Sequence, residues 1–171
     1  MDAETVLLAD RPDLIPTLAG WFARVWAPYY GPGGPGDAAA DLRAGCRRDR
    51  LPVCLVAVDA GGAALGTAAL KETSVAERPD LGPWLAALVV PPEFAGQGVA
   101  DFLVAVIEDT ARRLGRSALY CDANCGETLR SEGGWEEAAA ALLAGRGWTR
   151  IGAASSLRGA TAIYRRALTE G

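Results

Sequence analysis

The stretch ALVVPPEFAGQGVADFLVAVIEDTARRLG, residues 87–115, decides the fold. Its beginning completes the apolar run WLAALVV, residues 84–90, which is typical of a strand covered on both faces. Two prolines end the strand, and from Val99 apolar side chains recur at helical spacing as far as Gly115. A buried strand, a glycine-containing turn and an amphipathic helix therefore follow one another directly.

The turn between this strand and this helix has the properties of an anion site. The first turn of a helix leaves backbone N–H groups unpaired, and the helix dipole adds a partial positive charge there. Gly96 and Gly98 let the backbone approach a phosphate closely, and Ala100 keeps the next position small. The sequence predicts a pyrophosphate site made of main-chain amides, although a plain strand-to-helix connection would also use flexible residues.

A dinucleotide-binding fingerprint is a poorer interpretation of the same turn. That fingerprint needs the spacing G-x-G-x-x-G directly after a strand. Here the third glycine is absent, and two prolines and Glu93 separate the strand from the turn. We therefore do not expect a Rossmann-type site.

The patterning around this unit predicts the element order β α α β β β α β α β β. Strands are expected at residues 5–9, 51–60, 64–73, 84–90, 117–121, 148–153 and 161–167. Helices are expected from residue 12 to about 25 and at residues 37–49, 99–115 and 135–144. The Pro- and Gly-rich segment 27–36 ends the first helix, and 122–134 is expected to be a loop.

Length, composition and charge limit the classes of protein to which this chain can belong. A chain of 171 residues, half hydrophobic and 22% charged, fits one compact domain spanning residues 1–171. A net charge of −4 gives no basis for nucleic-acid binding. The longest apolar run is far shorter than the roughly 20 residues of a membrane-spanning helix, and the acidic start MDAETVLLAD does not resemble a signal peptide. We expect a cytoplasmic protein that binds neither membrane nor nucleic acid.

Histidine is absent from the chain, which limits its chemistry. Ser-His-Asp and Cys-His catalysis are excluded, as is a mixed Cys/His zinc site. Cys121 and Cys125 are not spaced as a metal knuckle, so no metal is expected. Catalysis would have to use carboxylates, tyrosine, cysteine, water or the backbone.

The stretch VVPPEFAGQGVADFLV, residues 89–104, resembles the acyl-CoA signature of the GNAT N-acetyltransferases, Q/R-x-x-G-x-G/A after a V-x-P-E-like segment. The segments ALGTAALKE, RPDLGPWLAALVV, GRGWTRIG and YRRAL are similar to further parts of that family. The resemblance implies an α/β (α+β) fold of the GNAT type. Its central sheet would be mixed but mostly antiparallel, with six to seven strands splayed between strands 4 and 5 and about four flanking helices.

The same resemblance implies that acetyl-CoA is the cosubstrate. Its pantetheine arm would lie along the fourth strand at Leu88, Val89 and Val90. The pyrophosphate would lie at Ala95, Gly96, Gln97, Gly98, Val99, Ala100 and Asp101. The implied reaction is transfer of the acetyl group to a primary amine of a small molecule or peptide by direct attack.

Three positions depart from the family pattern. Ala95 stands where Arg or Gln is usual, Leu143 stands where a tyrosine acid is usual, and the fourth strand lacks a glutamate. The substitute proton-transfer groups are predicted to be Tyr120, Asp122 and Glu136. Two alternatives stay open: a catalytically silent acyl-CoA-binding or regulatory protein, and a GNAT-fold enzyme with altered chemistry.

The acceptor side is predicted to be aromatic. Trp26, Tyr29 and Tyr30, beside a glycine-rich segment, could cover a bound amine, and Trp84 would stand near it. Packing of the same rings against the core is an equal alternative. The family resemblance also implies a possible homodimer.

Overall fold

The computed structural model of the protein describes residues 2–123, 126–128, 135–156 and 159–168. The strands are β1 Glu4–Leu7, β2 Val53–Val58, β3 Ala64–Lys71, β4 Trp84–Val90, β5 Ala118–Asp122, β6 Gly126–Thr128, β7 Thr149–Ser156 and β8 Gly159–Ala167. The α-helices are α1 Ile15–Val25, α2 Ala27–Tyr30, α3 Ala38–Ala44, α4 Val99–Arg113 and α5 Trp135–Gly145. Short 3₁₀ turns cover Leu8–Asp10, Pro12–Leu14 and Pro92–Phe94.

One mixed sheet organises these elements. Its strand order is β1-β2-β3-β4-β5-β8-β7, and β6 adds to β4 off this path. The pairs of β4 with β5 and with β6 are parallel, and the other pairs are antiparallel. The expected mixed, mostly antiparallel sheet with its break between the fourth and fifth strands is confirmed.

Helices cover both faces of the sheet. On one face, α4 buries Leu103 and Ile107 completely against β2, β3 and β4. On the other face, α1 and α3 enclose a second apolar cluster around Leu18 and Val56. The central strands are therefore covered on both sides, which explains the continuous apolar run of β4. Within the described ranges, no helix has the length and apolar character needed to cross a membrane.

Several boundaries differ from the expected ones. The first helix begins at Ile15 rather than residue 12, because Pro12–Leu14 form a 3₁₀ turn. A short helix, α2, lies in the Pro- and Gly-rich segment, since a proline in the first turn of a helix needs no N–H partner. The third helix begins after Asp37, which accepts a hydrogen bond from Ala40 N at 3.0 Å, but it ends at Ala44 rather than residue 49. The loop expected at 122–134 contains β6.

A buried carboxylate joins α4 to the turn between α5 and β7. Glu108 is only 2% exposed. It accepts hydrogen bonds from Arg146 Nη2 at 2.9 Å and from Trp148 Nε1 at 2.8 Å. The guanidinium of Arg146 neutralises the buried charge of Glu108. Since Arg146 and Trp148 lie just before β7, these hydrogen bonds hold the start of β7 against α4.

Candidate active site

Strands β4 and β5 separate immediately after they meet. In the described part of the chain they share one register pair, Trp84 opposite Tyr120. Further along, β4 pairs with β6 instead, with Leu88 opposite Gly126 and Val90 opposite Thr128. We call this separation of β4 from β5 the fork. At the fork the pairing partner of this edge of β4 changes from β5 to β6.

A bulge lies at the fork on the opposite edge of β4. Thr67 pairs with Val89 and Ala69 with Ala86, so β4 has one residue more than β3 between these pairs. Ala87 lies in the bulge with φ of 50°, a left-handed conformation that costs a non-glycine residue about 1–2 kcal/mol. Strain of this kind concentrates at functional sites and turns the local backbone toward a ligand.

The first turn of α4 lies at the end of β4. Gly98 precedes the helix with φ of 84°, and no side chain caps it. The first helical bond runs from Phe102 N to Gly98 O at 3.0 Å, so the N–H groups before Phe102 have no partner inside the helix. A Cβ on Gly96 or on Gly98 would meet nothing within 4 Å. In this turn Ala95 N donates to Pro92 O at 3.1 Å and Gln97 N to Phe94 O at 3.4 Å, whereas Val99, Ala100 and Asp101 have no amide partner inside the helix. The phosphate site expected from the sequence stays a prediction.

The predicted cofactor residues all lie along this β4–α4 segment. Leu88, Val89 and Val90 have buried side chains, and the β4 edge beside them, which was expected to take a pantetheine arm, is paired with β6. At the turn, Gln97 Nε2 donates to Glu93 O at 2.8 Å. Asp101 is held by Arg146 Nη1 at 3.1 Å, and this cation offsets the negative charge that Asp101 would bring to an anion site. Ala95, Val99 and Ala100 complete the turn.

A pocket opens on the face of the sheet that carries α1 and α3. Its volume is about 370 Å³, and Ala87 forms part of its wall, so we call it the bulge pocket. Its other lining residues are Phe22, Tyr30, Asp41, Leu42, Ala44, Gly45, Leu51, Pro52, Cys54, Ala69, Lys71, Glu72 and Thr73. The phosphate-type turn packs with α4 on the other face, so the site has one component on each side of the sheet.

Polar contacts shape the bulge pocket. Tyr30 Oη donates to Asp41 Oδ2 at 2.6 Å, which ties α2 to α3. Burial is the main cause that raises the pKa of Tyr30, and the hydrogen bond to Asp41 is the second cause. The hydroxyl of Tyr30 therefore stays protonated at neutral pH. Glu72 accepts two hydrogen bonds from Arg116, at 3.1 and 2.9 Å. Burial also raises the pKa of the Cys54 thiol to about 11, which makes it a poor nucleophile.

The four aromatic residues predicted to contact the acceptor lie in different places. Tyr30 lines the bulge pocket. Trp26 packs edge-on against Phe22 at 5.0 Å between ring centroids, and Tyr29 packs on Tyr30 at 4.8 Å. Trp84 is fully buried, and its Nε1 donates to Leu81 O at 2.8 Å. It is a core residue at the base of the fork, because its large ring fills the space between β4 and the following strands.

The predicted proton-transfer groups cluster at the fork only in part. Tyr120 is half-buried at its base, and Asp122, two residues further along β5, is 6% exposed. The side chain of Glu136 lies outside the described residues. Leu143, at the position of the usual tyrosine, is buried in the core.

The sequence did not single out Asp41, Lys71 or Glu72. Asp41 resembles an ordinary helix carboxylate, and Glu72 an ordinary loop one. For Lys71 the sequence did contain one indication, because strand alternation places it on the same face as Thr67. In the structure, Thr67 Oγ1 lies 3.4 Å from the Sγ of Cys54, which lines the pocket. The pocket itself is lined by residues of α1, α2, α3 and the sheet, so it depends on how these distant segments pack together, and no local pattern gives that.

Comparison with known proteins gives a family match and a set of similar folds. The family model described as the acetyltransferase (GNAT) family matches residues 18–129. No curated protein matches the chain in sequence. Many solved structures share the fold.

One similar structure is an aminoglycoside 6'-N-acetyltransferase complexed with coenzyme A, with a TM-score of 0.73 and 14% identity, covering 100% of this chain and 99% of that one. A second is the aminoglycoside 6'-N-acetyltransferase from Enterococcus faecium, with a TM-score of 0.70 and 13% identity over 100% and 99% of the two chains. A chain of the NatC complex bound to Gag peptide and CoA has a TM-score of 0.67 and 18% identity over 99% and 100%. At these identities the likeness establishes the fold alone.

Proposed function

Because the chain belongs to the acetyltransferase (GNAT) family, we propose that it transfers an acetyl group from acetyl-CoA to a primary amine of a small molecule or peptide. One observation carries the proposal. A glycine turn begins α4 at the end of β4, beside the fork where β4 and β5 separate, and the amides of residues 99–101 have no partner inside the helix. This arrangement would place a phosphate site next to an edge of β4 that a ligand could extend once β6 leaves it.

The residues of the turn fit a pyrophosphate. A side chain at Gly96 or Gly98 would project into space that is open in the structure, so a ligand there meets backbone rather than side chains. The amides of Val99, Ala100 and Asp101, in the first turn of α4, would donate to the phosphate oxygens. Binding along Leu88 to Val90 would require β6 to leave the edge of β4, since one edge cannot hold two partners.

The bound cosubstrate supplies the acetyl group as a thioester, and the chain supplies position and proton transfer. Beside the Ala87 bulge, a β4 amide would donate to the acyl oxygen as charge develops on it. The amine nitrogen would form a bond to the carbonyl carbon while the carbon–sulfur bond breaks. The proton from nitrogen would pass through water to Asp122, and the thiolate would take a proton from Tyr120. Exchange with solvent would return both groups to their starting states.

The test is to incubate the protein with acetyl-CoA and an amine panel, measuring free CoA thiol and the acceptor mass. We expect acetylated product, and we expect Tyr120→Phe to lower kcat by about 100-fold, as loss of a general acid does. Tyr164→Phe, a half-buried tyrosine on β8, is the matched control and should keep its activity. Product without any effect of Tyr120→Phe would remove Tyr120 from the mechanism.

A catalytically silent acyl-CoA-binding protein is the second candidate. It is favoured by Leu143, which is only 3% exposed and packs in the core where the family pattern has a tyrosine. Tight acetyl-CoA binding with no product from any amine would select this candidate.

A further inference from the structure

Two charged residues in the bulge pocket, Lys71 and Asp41, have no oppositely charged partner among the described residues. Lys71 is exposed at the end of β3 and, within the described residues, forms no ion pair. It is also one of the residues that line the pocket. The ammonium group of Lys71 is therefore available to a ligand.

The negative charges of the pocket are not equivalent. Glu72 is paired with Arg116 through both carboxylate oxygens, so its charge is largely compensated. Asp41 accepts a hydrogen bond from the neutral hydroxyl of Tyr30 at 2.6 Å. This bond fixes the position of the carboxylate and leaves its full negative charge. The pocket thus has a fixed anion on α3 and, on β3, a cation with no ion-pair partner among the described residues.

Size and apolar walls narrow the range of ligands further. A cavity of about 370 Å³ is at the lower end of the range of roughly 300–1,000 Å³ for ligand pockets. Phe22, Leu42, Leu51 and Pro52 form apolar parts of the wall. A ligand with several ammonium groups would be repelled by Lys71, and one with a short apolar side chain would fit the remaining wall.

We propose that the acceptor is a small zwitterion, a primary amine that also carries a carboxylate, with Lys71 binding the carboxylate and Asp41 attracting the amine. This inference rests on the proposed function, and it assigns the class of acceptor. Lys71 is then a specificity residue: it contributes to binding the correct acceptor and takes no part in proton transfer.

The test compares L-leucine, L-methionine and L-phenylalanine with their carboxamides, which keep the amine and remove the negative charge. We expect kcat/KM to be at least about tenfold higher for the acids, as one compensated charge pair would give. Lys71→Gln should abolish this preference mainly through KM, and Lys71→Arg should retain most of it. Arg24→Gln, an exposed cation on α1 outside the pocket, is the matched control and should leave the preference intact.

The inference fails if acids and amides react equally, if only amides react, if neither reacts, or if Lys71→Gln keeps the preference. These outcomes are distinct from failure of the proposed function. Acetylation of any amine keeps the transferase proposal standing, whereas absence of acetyl-CoA binding in a direct titration overturns it.

Discussion

Trp84 on β4 and Tyr120 on β5 form the parallel register pair at the base of the fork, with ring centroids 5.8 Å apart and ring planes inclined by 44°. The backbone supports the same junction, because Tyr120 N donates to Pro83 O at 3.0 Å. Trp84 is fully buried, so this base is anchored in the core while the strands beyond it part. The fork therefore begins at a residue pair that is fixed in the core, and beyond this pair β6 lies along β4.

Acetyl-CoA should displace β6. If the pantetheine arm takes the β4 edge at Leu88 to Val90, the amides of residues 126–128 lose their partners and should exchange with solvent faster. Hydrogen exchange with and without saturating acetyl-CoA measures this, with β1 as an internal reference that should not change. Undiminished protection of residues 126–128 in the complex would mean that the ligand binds elsewhere.

Gly66 is needed for the close approach of α4 to the sheet. A Cβ at this position would lie 2.9 Å from Val99 Cγ1 and 3.1 Å from Val89 O. Gly66→Ala should therefore displace the helix, lower the free energy of unfolding by about 1–3 kcal/mol and weaken acetyl-CoA binding. Gly20→Ala in α1, where a Cβ meets nothing within 4 Å, should instead stabilise by about 0.5–1 kcal/mol. Denaturant unfolding compares the two, and equal effects would contradict the packing.

Glu108 should contribute far more stability than its neighbour Asp109. Glu108→Gln leaves Arg146 and Trp148 facing a neutral amide inside the protein, at a cost of about 3 kcal/mol. Asp109→Asn removes only an exposed ion pair with Arg113 and should cost less than about 1 kcal/mol. Urea denaturation of both variants checks the difference. A loss below 1 kcal/mol for Glu108→Gln would show that the buried pair is dispensable.

Tyr30 should make the protein less stable in alkali. Burial and the bond to Asp41 raise its pKa in the folded state, so the unfolded chain releases this proton first as the pH rises. Its stabilising contribution is complete below about pH 10 and decreases above it, by up to about 1.4 kcal/mol per pH unit. Tyr30→Phe should flatten this part of the stability–pH curve between pH 9 and 11. Identical curves for the variant and the parent would contradict the shift.

Local sequence patterns predicted much of the frame. The apolar run of β4, the helical spacing after Val99 and the glycines of the turn are short-range signals, and each appears where expected. The helix expected from residue 37 also begins there, because Asp37 caps it. These features depend on neighbouring residues alone, which is why the sequence reveals them.

Features set by contacts between distant segments were missed. The Ala87 bulge depends on the register of β4 against β3, and β6 depends on the space that the fork leaves. The burial of Trp84, which was expected on the acceptor side, likewise depends on distant segments, since its ring packs with Val75 and Ile163. Lys71 on β3 and Asp41 on α3 line one pocket only because segments 30 residues apart in the chain come together in the fold.

The central claim, that the turn before α4 holds the phosphates of acetyl-CoA, is tested most directly by calorimetric titration of the parent and Gly98→Val with acetyl-CoA, with NADH as the control nucleotide. Gly115→Val is the matched variant, since Gly115 at the other end of α4 also has positive φ and open space around it. The account predicts saturable binding of acetyl-CoA alone to the parent and to Gly115→Val, and affinity at least about tenfold weaker for folded Gly98→Val. Equal affinity for Gly98→Val, or no binding to the parent, would contradict it.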